Sequence, residues 1–71
     1  MKRIVRIEGV KSWTKNGVKH SNTYAILLED DGNEIEARGY GDDYKIGELV
    51  EAWFNEDWDY YQMQHKGGKH V

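Results

Sequence analysis

Polar and apolar residues alternate over most of this chain, and glycines or acids interrupt the alternation. A period of two marks a strand that buries one face. A first strand is predicted from about Lys2 to Trp13, with Val5 and Ile7 on one face and Arg6 and Glu8 on the other. Ile4 and Val10 break the pattern, and Gly9 points to a bulge or bend there. Asn16-Gly17 follows, and both residues accept the positive φ that a type I′ hairpin turn demands. A second strand, about Val18 to Glu29, ends in Ile26-Leu27-Leu28, apolar on both faces, which predicts the most buried strand. Asp31-Gly32 is another hairpin signal. A third strand is predicted over Glu34–Tyr40, with Ile35 and Ala37 inward. Gly39 and Gly41 end it, and the loop through Tyr44 and Lys45 is too short for more than one helical turn. A fourth strand, Leu49–Asn55, places Val50, Ala52 and Phe54 on one face. Glu56-Asp57 turns the chain into a fifth, Trp58–His65, with Tyr61 and Met63 inward.

A helix across Glu48–Met63 competes with the last two strands. The segment's aromatic residues and the acids around residue 57 favour a hairpin. Short strands joined by glycine turns predict an all-β fold, a small five-stranded antiparallel barrel, because closure removes exposed sheet edges. The long, bent first strand makes it OB-fold-like, with an SH3-like barrel as the alternative. The expected core is Val5, Ile7, Ile26, Leu28, Ile35, Val50 and Phe54. Residues 1–65 form the one domain, and 66–71, poor in apolar residues, are expected to be a mobile tail.

Composition narrows the picture. A chain of 71 residues buries only about 60% of its unfolded surface, so the core is thin. There is no cysteine, hence no disulfide and no thiolate metal site. That fits a cytoplasmic protein, as does an N-terminus without an apolar secretory core. No apolar run reaches the roughly 20 residues of a membrane span. The net charge of −3 is unevenly spread. Residues 1–20 carry +5, whereas residues 21–64 carry twelve acids against Arg38 and Lys45, a balance of −10. A basic hairpin on an acidic body binds a polyanion locally and repels it elsewhere. Two charge signs also simply solubilise opposite faces of a barrel.

No catalytic constellation is visible, so no enzymatic activity is expected. The acids sit in turns and on strand faces, and His20, His65 and His70 lack metal-ligand spacing. Neither a metal nor a cofactor is expected. The aromatics are more telling: nine are too many for so thin a core, and some must be exposed. Exposed aromatics beside lysines suit single-stranded nucleic acid, which offers a π-face and a phosphate at each nucleotide. The candidate contacts are Lys11, Trp13, Lys15, Lys19, His20, Tyr24, Arg38 and Tyr40. The alternative for any one aromatic is a cap on the barrel end with its polar tip in water.

The succession SWTKNGVKHSNTY, an acidic Asp-Gly turn and KIGELVEAWF resembles the small OB-fold single-stranded-DNA-binding proteins of phages. In that family a basic pair, a glycine turn and a Tyr or His build a projecting β-wing. Lys15, Asn16, Gly17, Lys19 and Tyr24 stand at comparable places here. The resemblance covers about two-thirds of the chain and implies binding of single-stranded DNA or RNA in a host cytoplasm. The acidic tail by which bacterial relatives recruit partners is missing, as is the aromatic cold-shock motif. A homodimer is left open. The rival class is a small acidic phage-type protein that inhibits a host or defence protein with a basic surface by mimicking DNA. Its basis is the acidic surface of Glu29-Asp30-Asp31, Asp42-Asp43 and Glu56-Asp57 with Asp59. A basic aromatic strip across one sheet favours nucleic acid; an unbroken acidic face favours the protein partner.

Overall fold

A computed structural model describes residues 1–67. The predicted strands form: β1 (Lys2–Lys15), β2 (Val18–Leu28), β3 (Glu34–Tyr40), β4 (Leu49–Asn55) and β5 (Tyr60–His65). Asn16 and Gly17 both take positive φ, 53° and 76°, as a type I′ turn requires. The Asp31-Gly32 turn differs from a two-residue hairpin, because only Gly32 has positive φ. The Gly32 N–H donates to the Glu29 carbonyl at 2.9 Å, which closes a type I turn followed by a glycine bulge.

The strands close into a barrel in the order β1-β2-β3-β5-β4. β1, β2 and β3 form an antiparallel meander, and β1 returns to pair with β4 through Lys2 and Arg3. The expectation of a purely antiparallel barrel is corrected at one seam: β3 and β5 run parallel, Ala37 opposite Tyr61 and Gly39 opposite Met63. A parallel pair needs a long crossover. Here the β3–β4 loop and β4 itself supply it. The result is the small five-stranded all-β barrel expected, with one parallel pair in its ring. No helix is present among the described residues.

The core is Ile4, Ala25, Leu27, Ala37, Tyr44, Val50 and Met63, with Ile7, Ile35, Ala52 and Tyr61 packed against it. Two bulges in β1, between Ile4 and Arg6 and between Ile7 and Gly9, explain the departure from the expected set. Each bulge adds a residue and flips the parity. Ile4 and Ile7, three apart, therefore both point inward, and Val5 is only half-buried. In β2 the inward positions are odd-numbered. Leu28 is exposed, and Ile26 is buried outside the core cluster, on the face it shares with Arg6 and Glu36. Phe54 is also exposed and meets the edge of Tyr61.

Tyr44, from the β3–β4 loop, fills the barrel end. Gly39 leaves the room, since a Cβ there would lie 2.6 Å from the Tyr44 hydroxyl. Burial, helped by the Asp43 and Glu48 carboxylates, pushes the Tyr44 phenol up to about 12. Lys66 and Gly67 form a turn whose Gly67 N–H donates to Glu51. The rest of the expected mobile tail lies outside the described residues.

Candidate nucleic-acid interface

β3 stops pairing with β2 at Tyr40 opposite Asn22. Beyond that point β1 and β2 continue alone as a two-stranded wing that ends at Asn16-Gly17. A bare ribbon of this kind is marginal in water and needs side-chain support. Three rings supply it. Trp13 and His20, directly opposite in the ladder, stack at 5.6 Å between centroids and 18° between planes. His20 Nδ1 is 2.5 Å from the Tyr40 hydroxyl, so the last residue of β3 braces the wing against the body.

Paired residues share a sheet face, and register therefore sorts the candidates. Lys15 opposite Val18, Trp13 opposite His20 and Lys11 opposite Asn22 lie on one face. Tyr40 opposite Asn22 and Arg38 opposite Tyr24 extend it onto the outside of the barrel. Seven of the predicted residues are thus brought together: Lys11, Trp13, Lys15, His20, Tyr24, Arg38 and Tyr40. Lys19 pairs with Thr14 and belongs to the opposite face of the wing.

Cations and rings interleave across this face. The Lys11 ammonium sits 5.4 Å from the Tyr24 centroid, and the Arg38 guanidinium lies 5.3 Å from Tyr24 and 4.1 Å from Tyr60. Trp13 and Tyr40 remain 42% and 64% exposed, with ring surface left to offer a ligand. The acids are partly neutralised elsewhere: Glu29 by Lys2, Glu8 and Glu34 by Arg6, Asp43 by His65. Among the described residues Lys11, Lys15 and Arg38 form no ion pair.

The chain matches no family model, no curated protein and no solved structure. Its function therefore rests on the geometry of the chain itself.

The structure adds residues that were not among the candidates. β5 places Tyr60 and Gln62 on the outer face, beside Arg38 on β3 and Trp53 on β4. A signal for them exists in the sequence, because inward Tyr61 and Met63 put Tyr60, Gln62 and Gln64 outward. The parallel seam that sets Gln62 against Arg38 has no such signal. His65 lies outside the strip but lines a hollow with Arg38, Tyr40, Trp53 and Gln62. Its ring stacks on Tyr44 at 4.1 Å, its Nε2 is 2.8 Å from Asp43, and its Nδ1 meets Glu48. Hydrogen bonding to Asp43, and then to Glu48, raises the His65 pKa against the opposing effect of burial. The same bond lowers that of Asp43. This cluster clamps the β3–β4 loop. Among the described residues no group of three or more such side chains is arranged to hold a metal.

Proposed function

We propose that this chain is a non-enzymatic protein that binds single-stranded nucleic acid along the outer face of β1, β2 and β3, with the wing as its leading edge. The observation that carries the reading is the strip in which Trp13, His20 and Tyr40 follow one another ring to ring beside Lys11, Tyr24 and Arg38. Bases stack on Trp13 and Tyr40, and phosphates meet Lys11, Lys15 and Arg38. Base stacking on an aromatic contributes about 1–3 kcal/mol, so two platforms with a few phosphate contacts support modest affinity. The acidic remainder of the surface confines the strand to this path.

Anisotropy of a labelled DNA or RNA oligomer, titrated at several salt concentrations, tests the reading. Lys11→Ala with Lys15→Ala weakens binding and flattens the salt dependence by about 1.4 units, at about 0.7 for each phosphate that is no longer neutralised. Trp13→Ala weakens binding with the slope unchanged, because stacking releases no counterions. Absence of binding by either kind of oligomer at low salt refutes the reading.

One observation favours the rival. At the β4–β5 turn Trp58 is 71% exposed among Glu56, Asp57 and Asp59. An aromatic anchor in an acidic setting suits a protein partner with a basic groove. That turn becomes the surface to mutate if oligomers fail to bind.

A further inference from the structure

Next to the strip, across the β3–β5–β4 face, lies a groove of about 420 Å³ whose walls include Arg38, Tyr40, Trp53, Gln62 and Gln64. The hydrogen-bonding character of its floor can be deduced atom by atom. The backbone N–H groups of Asp57 and Trp58 donate to Asn55 Oδ1 at 3.0 and 3.2 Å. Backbone donors admit no ambiguity, so they fix which end of the Asn55 amide is oxygen. Its Nδ2 then points at Gln62 and donates to Gln62 Oε1 at 2.7 Å. Gln62 has accepted with its oxygen, and the two hydrogens of its Nε2 are left to donate.

Gln62 is flanked in the sheet by Arg38 on one side and Trp53 on the other. Arg38 can only donate. It is held against Tyr60, its buried Nε has no hydrogen-bond partner, and it enters no ion pair among the described residues. Within a groove that Tyr44, Met63 and His65 also line, Gln62 and Arg38 therefore present donors beside a half-exposed indole. A planar ligand that stacks on Trp53 is favoured if it turns acceptors toward Gln62 and Arg38, and disfavoured if it turns an amino group there.

We propose that this groove is a base pocket, read by Gln62, that selects carbonyl-bearing bases over adenine. Guanine, hypoxanthine, thymine, uracil and cytosine each carry a ring carbonyl; adenine offers only ring nitrogens, and its N1 and N7 acceptors both lie next to an exocyclic amino group that would meet the donors of Gln62 and Arg38. The inference rests on the nucleic-acid reading above and adds base preference to a surface otherwise indifferent to sequence. Gln64, also in the groove, has no side-chain hydrogen bond among the described residues to hold its amide one way, so discrimination falls to Gln62.

The test compares the DNA octamers dA8 and dI8 by anisotropy at one low salt concentration. Hypoxanthine exchanges the amino group of adenine for a carbonyl and keeps the purine stacking surface. The wild-type chain binds dI8 more tightly by about three- to tenfold, as expected for one hydrogen bond gained and one clash avoided. Gln62→Glu keeps an acceptor for Asn55 Nδ2 but presents an acceptor outward. Both affinities fall, and the preference for dI8 disappears or reverses. Gln62→Met, neutral and of similar shape, brings the ratio to one. Thermal melts of both variants establish that the barrel is folded. Equal binding of the two octamers by the wild-type chain overturns the pocket and leaves the strip standing. A preference that survives in both variants overturns the role of Gln62. Failure of both octamers to bind overturns the pocket, and failure of their RNA counterparts as well overturns the strip with it.

Discussion

Gly39→Ala isolates the contact that closes the barrel end. Gly39 does not have a positive φ, so alanine fits its backbone and would ordinarily stabilise a strand by about 0.5–1 kcal/mol relative to glycine. The structure predicts the opposite sign. A Cβ at this position falls 2.6, 2.7 and 2.8 Å from the hydroxyl, Cζ and Cε2 of Tyr44. Relief requires Tyr44 to move, and Tyr44 is pinned. It is buried in the core cluster, its hydroxyl faces the Met63 carbonyl, and its ring stacks on His65, itself held by Asp43 and Glu48. Overpacking of this kind costs about 1–3 kcal/mol. Expelling the ring instead forfeits a comparable amount of burial, about 1.5–3 kcal/mol.

Against a total of about 4–10 kcal/mol for a domain of this size, a loss of about 2 kcal/mol is large. It lowers the melting temperature by roughly 8–16 °C. Urea unfolding measures the loss as a shift in midpoint with the slope unchanged. A double-mutant cycle identifies the cause: with Tyr44→Leu in place the hydroxyl end of the ring is gone, and Gly39→Ala costs less than about 0.5 kcal/mol. The coupling is then about 1–2 kcal/mol, within the range of residues in contact. Gly39→Ala as stable as the wild type, or equally costly in both backgrounds, refutes the account of Tyr44 as the plug.

The remaining expectations are briefer. His65 has a folded pKa raised above the ordinary 6.5, so its contribution is fully present below that value and is lost as pH rises through the raised one. The lowered pKa of Asp43 contributes above 3.8 and is lost as pH falls through the folded value. Urea midpoints measured against pH should therefore decline as pH rises above 6.5, and His65→Gln should abolish that decline; an unchanged profile in the variant counts against the clamp. Gly17→Val should destabilise the wing by about 1–3 kcal/mol through backbone strain alone, as no atom lies near a Cβ there. Amide exchange over residues 11–21 should accelerate in Gly17→Val and remain slow in Gly17→Asn, and equal exchange in the two variants speaks against the type I′ turn.

Local signals and non-local ones separate cleanly in this chain. Asn16-Gly17 determines the register of the wing by itself, so the pairing of Trp13 with His20 follows from the turn geometry and is legible from residue types. The inward residues of β1 are not, because alternation fails silently across a bulge. Ile4 and Ile7 carry the spacing of three left by the first bulge, which nothing in the sequence marks, while Gly9 marks only the second. The run Ile26-Leu27-Leu28 offers either parity, and what decides it is Ala25 facing Ala37 across the sheet, a contact that only the folded barrel creates. Nothing in the sequence around those two alanines and Gly39 marks them as a group. Gly39 makes space for Tyr44, which joins the two alanines in the core cluster and meets Met63 and His65 of β5.

The same division governs the site. Each member of the strip on β1 and β2 lies within reach of the first hairpin, and its partner can be counted off from the turn. Arg38, Tyr60, Gln62 and Trp53 meet only because β3 and β5 run parallel, a pairing with no turn to announce it. That seam has a physical consequence for the charge pattern. Many of the acids lie in turns, Glu8 and Glu34 on the strands are engaged by Arg6, and Glu36 is left on the outer face beside Tyr24 and Lys11, while the uncommitted cations of the described residues include Lys11 and Lys15 on the wing and Arg38 at the seam. A net charge of −3 therefore does not argue against an anionic ligand, since affinity depends on the charges that line its path and not on their sum over the chain.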